Sequence, residues 1–181
     1  IDEAEESRLT YMAAQGVVES EPGLKDGNVL VVDVGGGSTE ILLVQNGQVT
    51  FSDSYRLGSL RMREMLESQR APSERVRTIL GQHIQRMVEQ ISRNVPASEL
   101  TALVAMSGDS RFVAAHLYPE WATANTARIE YKTFATFVDK VLPMSAERIA
   151  SKYHLSFQEA ETVGPALLVY VHLARACKTA C

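Results

Sequence analysis

The segment Asp33-Val34-Gly35-Gly36-Gly37-Ser38-Thr39-Glu40 gathers residue types suited to holding phosphate. Successive glycines are costly to order, because glycine gives up more backbone freedom on folding than any other residue. A turn that keeps three of them needs a bare backbone. The chemical use of one is to bring N–H groups up to an anion with no Cβ in the way. Ser38 and Thr39 add hydroxyl donors, so Gly35, Gly36, Gly37, Ser38 and Thr39 all read as phosphate-binding. Asp33 and Glu40 flank the turn as carboxylates. They could hold Mg²⁺ or another divalent cation, which bridges carboxylate and phosphate oxygens. A plain hairpin needs fewer glycines, as Asn46-Gly47 shows a few residues on. Two other phosphate loops fail on their own terms. A P-loop requires Lys after its last glycine, and Ser38 stands there. A dinucleotide fingerprint requires a further glycine and then a helix, where Glu40 and a strand follow.

The surrounding pattern supplies the elements that position this turn. Val29 to Asp33 is a continuous aliphatic run, the mark of a buried strand. Ser38 to Val44 reads as a second strand, and Gln48 to Leu57, after the Asn46-Gly47 hairpin, as a third. A helix over Glu3 to Val18 precedes them, with Leu9, Met12, Ala13 and Val17 spaced to share one face. Helices are expected over Ser59 to Ser68 and Ser73 to Asn94, the latter N-capped by Ser73. Thr101 to Met106 reads as a short buried strand, Asp109 to Leu117 as a helix and Arg128 to Lys132 as a strand. Helices over Thr133 to Leu142, Ser145 to Tyr153 and Ser156 to Lys178 complete the chain, the last opened by a Ser156/Glu159 capping box. Trp121 and the aromatics from Tyr131 to Phe137 are expected in the core. The order predicts a layered α/β domain.

Bulk properties set the outer bounds. With 181 residues, 45% hydrophobic and 22% charged, the chain suits one globular domain. A net charge of −4 offers no basic footprint for nucleic acid. A chain of that sign that handles polyanions must place cations locally or use metal ions. No apolar run is long enough to span a membrane. The acidic start, Ile1 to Glu6, is neither a signal nor a transit peptide and lacks a Met, so the chain is expected to be a piece of something longer. Cys177 and Cys181 read as reduced surface thiols of a cytoplasmic protein. His83, His116, His154 and His172 show no metal spacing and are expected to be structural or exposed.

The glycine segment resembles the phosphate motif of the Ppx/GppA family, the exopolyphosphatases and guanosine pentaphosphate phosphatases within the actin-like superfamily. The resemblance extends over nearly the whole chain in order. Glu5-Glu6-Ser7-Arg8-Leu9 resembles the family's paired-Glu helix, and Arg56 to Arg61 resembles the segment that closes the third strand. Ser107-Gly108 resembles a second phosphate loop, and Glu159 to Thr162 with Pro165 to Leu168 resembles the late helix. The resemblance implies an actin-like (ribonuclease H-like) α/β lobe over residues 1–181, the second of two. Its first lobe would be a partner, and a homodimer is allowed. It implies hydrolysis of a terminal phosphoanhydride of polyphosphate or guanosine pentaphosphate. Glu6 would be catalytic, handling the attacking water as a general base. Gly35 to Thr39 together with Ser107 and Gly108 would bind phosphate, and Asp33 and Glu40 would bind the divalent cation. Half of a two-lobed cleft is expected to hydrolyse weakly at best. Arg8, Arg56 and Arg61 are further phosphate candidates, since guanidinium suits that anion. Where the family has Ser-Gly before its Glu pair and Thr after its second loop, this chain carries Asp2-Glu3-Ala4 and Asp109-Ser110. Those acids motivate an alternative, a polyphosphate- or alarmone-binding module without turnover. A sugar-kinase or chaperone-like ATPase lobe is a third reading, against which the paired-Glu helix speaks.

Overall fold

The computed structural model describes residues 3–68, 70, 73–95, 99–118, 120 and 126–177, with backbone alone for 3, 4, 6, 73 and 74. A first helix, α1 (Glu3–Ser20), leads into a meander of β1 (Asn28–Val34), β2 (Thr39–Gln45) and β3 (Gln48–Tyr55). Two helices, α2 (Ser59–Ser68) and α3 (Ser73–Ile91), precede β4 (Ala102–Met106). Four more follow: α4 (Gly108–Leu117), α5 (Tyr131–Val141), α6 (Ala146–Tyr153) and α7 (Phe157–Ala176).

The strands form one sheet in the order β3-β2-β1-β4, with β1 antiparallel to β2 and parallel to β4. The uninterrupted aliphatic run of β1 follows from its place between two cores. Val29 and Val31 face α1 together with Leu42, Val44 and Ala102. Leu30, Val32 and Val34 face the opposite way, into the larger core built on α7. That helix is apolar nearly all round, with Val163 to Val171 buried without a break, the signature of a helix surrounded by protein. Its start is set by the expected capping box: Ser156 Oγ accepts from Glu159 N, and Glu159 Oε2 accepts from Ser156 N.

Three expectations fail for physical reasons. The buried stripe of α1 is Thr10, Ala14 and Val18, whereas Leu9 and Met12 are 46% and 56% exposed and Ala13 is also exposed. Small residues every fourth position let the helix lie close on the sheet, and this outweighs the larger side chains of the neighbouring stripe. Arg128 to Lys132 is not a strand. Residues 126–130 are irregular, Glu130 is the extended N-cap, and helix begins at Tyr131. The 3-4 spacing of Tyr131, Phe134, Phe137, Val138 and Val141 overrides the single β-branched Ile129. Cys177 is buried at the α7 terminus, where burial pushes its thiol up to about 11; it is not a surface thiol. Trp121, Cys181, Lys178 and the Ser73 side chain lie outside the described residues.

Candidate phosphate site

The glycine turn sits at the carboxyl ends of β1 and β4, where open α/β sheets commonly receive ligands. Gly35 N–H donates to Ser38 O at 2.9 Å and closes the turn. The glycine carbonyls all point to α2. Gly35 O accepts from Ser59 N at 2.9 Å, and Gly36 O accepts from Leu60 N at 3.0 Å and Arg61 N at 3.2 Å. Gly37 O accepts from Arg61 Nε at 3.1 Å. The turn thus caps the first N–H groups of α2, which a helix cannot satisfy by itself. Among the described residues no acceptor meets the N–H groups of Gly36, Gly37 or Ser38, and both glycines are exposed.

Packing explains only part of the glycine content. A Cβ at Gly37 would meet nothing within 4 Å, and one at Gly36 would meet only Leu60 Cβ at 3.7 Å. None of the three takes a left-handed φ. Bare backbone here is not forced by the interior, so it leaves the outward face of the turn open to an anion. The glycine that packing does require is Gly58, where a Cβ would stand 2.2 Å from Gly36 O and 2.4 Å from Gly37 C.

The hydroxyls serve the turn rather than its mouth. Thr39 is fully buried and donates to Leu57 O at 2.7 Å, so its side chain does not face an anion at the turn. Ser38 donates to Glu40 Oε1 at 2.6 Å, and Ser54 reaches the same oxygen at 3.1 Å. Asp33 and Glu40 are register partners on β1 and β2, which puts both on the α1 face of the sheet. Burial, then the charge of Glu40, raises the Asp33 carboxyl to about 6, while Arg111 opposes the shift. A half-buried carboxylate beside a second one and short of cationic partners is disposed to accept a cation. No cluster of three or more His, Cys, Asp or Glu side chains suited to a metal exists among the described residues. Asp33 and Glu40 thus offer two carboxylates at most, within the one or two that Mg²⁺ takes from a protein when water and phosphate oxygens complete its shell.

The second loop lies beside the first because β4 pairs parallel with β1, bringing Met106 opposite Asp33. Ser107 is the N-cap of α4, its Oγ accepting from Ser110 N at 3.1 Å. Gly108 is exposed with open space around its missing Cβ. Asp109, in the first turn of α4, is raised to about 6 by burial and by Glu159, with its own backbone N–H opposing. From here a cleft of about 540 Å³ runs along β4 between Val17 and Leu24 on one side and Arg111 and Phe134 on the other.

Glu6 lies in the opening turns of α1, next to Ser7, whose hydroxyl meets Ser52 Oγ at 2.7 Å. The hydroxyl of Tyr11, one turn on, reaches Gly47 O at the hairpin end, so α1 runs with its N-terminus toward the glycine turn. The Glu6 side chain is outside the described residues. All three arginine candidates, Arg8, Arg56 and Arg61, are exposed, and Arg61 is tied to the turn through Gly37 O. Three residues of this region carried no assigned role in the sequence reading: Gly58, Arg111 and Tyr170. Gly58 had a signal, a glycine directly before a helix start. A single Tyr in an apolar helix gives none.

Comparison with known proteins agrees with this architecture. The description "Ppx/GppA phosphatase family" matches residues 1–181. Exopolyphosphatase 2 of Mycobacterium tuberculosis, in strains CDC 1551 / Oshkosh and H37Rv, is 25% identical over 176 residues, which cover 95% of this chain and 54% of that protein. Among solved structures, an exopolyphosphatase-like protein superposes with a TM-score of 0.80 at 21% identity, over 98% of this chain and 59% of its own. The Aquifex aeolicus member of the Ppx/GppA family gives 0.76 at 17% identity, over 97% and 56%. An exopolyphosphatase from Cytophaga hutchinsonii gives 0.75 at 17% identity, over 97% and 57%. These likenesses show that the chain shares the mixed α/β fold of Ppx/GppA structures, and it spans about half the length of the relatives it matches. With its whole length covered by the family description and its fold shared with solved members, the chain belongs to the Ppx/GppA phosphatase family.

Proposed function

We propose that this chain is the second, phosphate-holding lobe of a phosphoanhydride hydrolase that releases terminal phosphate from inorganic polyphosphate. The observation that carries the reading is the glycine turn, with its carbonyls bound to α2 and the N–H groups of Gly36, Gly37 and Ser38 unpaired among the described residues. The family membership and the name exopolyphosphatase of a curated relative support the substrate class. Guanosine pentaphosphate ends in the same phosphoanhydride and is the second substrate of the proposal.

Phosphoryl transfer depends chiefly on positioning and charge stabilisation. The N–H groups of Gly36, Gly37 and Gly108 would hold phosphate oxygens, and Arg111 would add a cation on the same side of the sheet. Asp33 and Glu40 would hold the divalent cation, which supplies charge neutralisation when bound. Glu6 would orient and deprotonate the attacking water, as a positioned carboxylate can. The test is phosphate release from long-chain polyphosphate with Mg²⁺ by this chain joined to a first lobe of the family, beside Glu6→Gln. Release that collapses in the variant is the expected result. Binding of polyphosphate with no release from either protein would favour the second reading, a binding module without turnover. One observation bears on that choice: the half-buried acid Asp109 at the head of α4 sets a carboxyl beside the second loop, unfavourable to the charge build-up of phosphoryl transfer there.

A further inference from the structure

We infer that Tyr170 is a positioning residue that holds the two phosphate loops at a fixed spacing by bridging β1 and β4 where the strands part. The parallel ladder between these strands runs from Val29 opposite Ala102 to Asp33 opposite Met106. Past that pair β4 ends and the chain turns through Ser107 into α4, while β1 continues for one more residue to Val34. The N–H of Val34 therefore has no strand partner on that side. It donates instead to the Tyr170 hydroxyl at 3.2 Å, and that hydroxyl donates to Met106 O at 2.5 Å. A side chain from α7 thus replaces the missing rung of the ladder. The same oxygen lies 3.1 Å from Ser107 Oγ, the N-cap of the second loop.

Three features make the bridge rigid. Tyr170 is 2% exposed, at the centre of a helix buried on nearly all sides. Its ring meets Phe134 edge-on, with centroids 6.5 Å apart. Two of its hydrogen bonds run to backbone atoms of the last residues of β1 and β4. The hydroxyl has one proton to give, and Met106 O is the nearer acceptor. Ser107 Oγ, within reach of the Tyr170 hydroxyl, also accepts from Ser110 N, so both of its contacts lie within the fold. Gly108 is the exposed residue of the second loop, with open space at its Cβ position. Both loops present backbone, and the distance between them is set by one buried oxygen.

The inference rests on the phosphate reading of the two loops, and its test separates the two. Tyr170→Phe keeps the ring and removes the bridge. Leu173→Ala, one turn further along α7 and equally buried, loosens the helix without touching either loop. Tripolyphosphate binding in Mg²⁺ is measured by calorimetry on this chain, and amide hydrogen exchange is followed at Val34 and Gly108. Tyr170→Phe is expected to weaken binding about tenfold and to speed exchange at both amides. Leu173→Ala is expected to lower the melting temperature with affinity unchanged. If Tyr170→Phe does not fold, the bridge is read in the wild-type chain from the Val34 amide, which lies past the end of β4: slow exchange there supports the bridge, and exchange as fast as at an open amide overturns it. Wild-type affinity in the bridge variant, or equal weakening by Leu173→Ala, overturns the inference. Absence of binding by the wild-type chain overturns the phosphate reading instead. The exchange data then decide the bridge alone: faster exchange at both amides in Tyr170→Phe supports it, and unchanged protection overturns it.

Discussion

Replacing Gly58 by Ala should damage the site through a position that never faces a ligand. An added Cβ would lie 2.2 Å from Gly36 O, 2.3 Å from Gly36 C and 2.4 Å from Gly37 C. Ordinary contact begins near 3.4 Å, so the glycine turn or the start of α2 must move by about 1 Å. The atoms in the way are backbone, and their carbonyls are held by Leu60 N and Arg61 N on Gly36 O and by Arg61 Nε on Gly37 O. Moving them weakens up to three hydrogen bonds, each worth a net ~0.5–1.5 kcal/mol, and adds overpacking strain of ~1–3 kcal/mol. Together these predict a loss of about 2–4 kcal/mol. In a domain of this size that lowers the melting temperature by roughly 5–15 °C. Tripolyphosphate affinity should fall with it, because the displaced carbonyls belong to the same peptide units as the N–H donors. Gly37→Ala is the contrast. With open space at its Cβ position, it should change stability by less than about 1 kcal/mol yet still weaken binding, by crowding the mouth of the turn. Thermal unfolding and calorimetric titration of both variants test this. A Gly58→Ala chain that melts and binds like wild type would refute the reasoning, as would a Gly37→Ala chain that loses as much stability as Gly58→Ala.

Two further predictions follow from the acids at the strand ends. Asp33 and Asp109 are each raised to about 6 in the folded chain, above the ordinary 3.8. Between those values the folded state binds more protons than the unfolded one. Each acid therefore contributes stability at low pH that is lost as pH rises from about 4 through 6, worth roughly 1–2 kcal/mol after solvent screening. Urea unfolding of wild type and Asp33→Asn at pH 4.5 and 7.5 should show the variant gaining on wild type at the higher pH, and a pH-independent difference would count against it. Asp109→Asn should bind tripolyphosphate several-fold more tightly at pH 8, with the gain vanishing near pH 5.5, where the wild-type carboxyl is mostly protonated. Equal affinities at pH 8 would show that Asp109 does not face the anion.

The sequence made legible whatever depends on neighbours along the chain. The aliphatic run of β1, the Asn46-Gly47 turn and the Ser156/Glu159 cap are local signals, and each appears in the fold where it was expected. The glycine turn was legible for the same reason, as costly residues in a row. Features set by distant contacts were not. The choice of Ala14 and Val18 over Leu9 and Met12 as the buried side of α1 depends on how near the helix lies to the sheet. The demand for glycine at position 58 comes from the approach of residues 36 and 37, and Tyr170 acts across 136 residues on Val34. The side chains of the first loop also changed meaning on folding. Ser38 and Thr39 looked like phosphate donors in a linear reading, but their hydroxyls bond Glu40 and Leu57 O. What they leave to a ligand is the backbone.

The central claim, that two backbone loops at the ends of β1 and β4 hold phosphate, is tested most directly by following the amide resonances of this chain during a tripolyphosphate titration in Mg²⁺. Phosphate held by these loops should move the Gly36, Gly37, Ser38 and Gly108 amides most, with Val34 and Asp33 moving less. Saturable binding that leaves those four amides unmoved, or no binding at all, would contradict it.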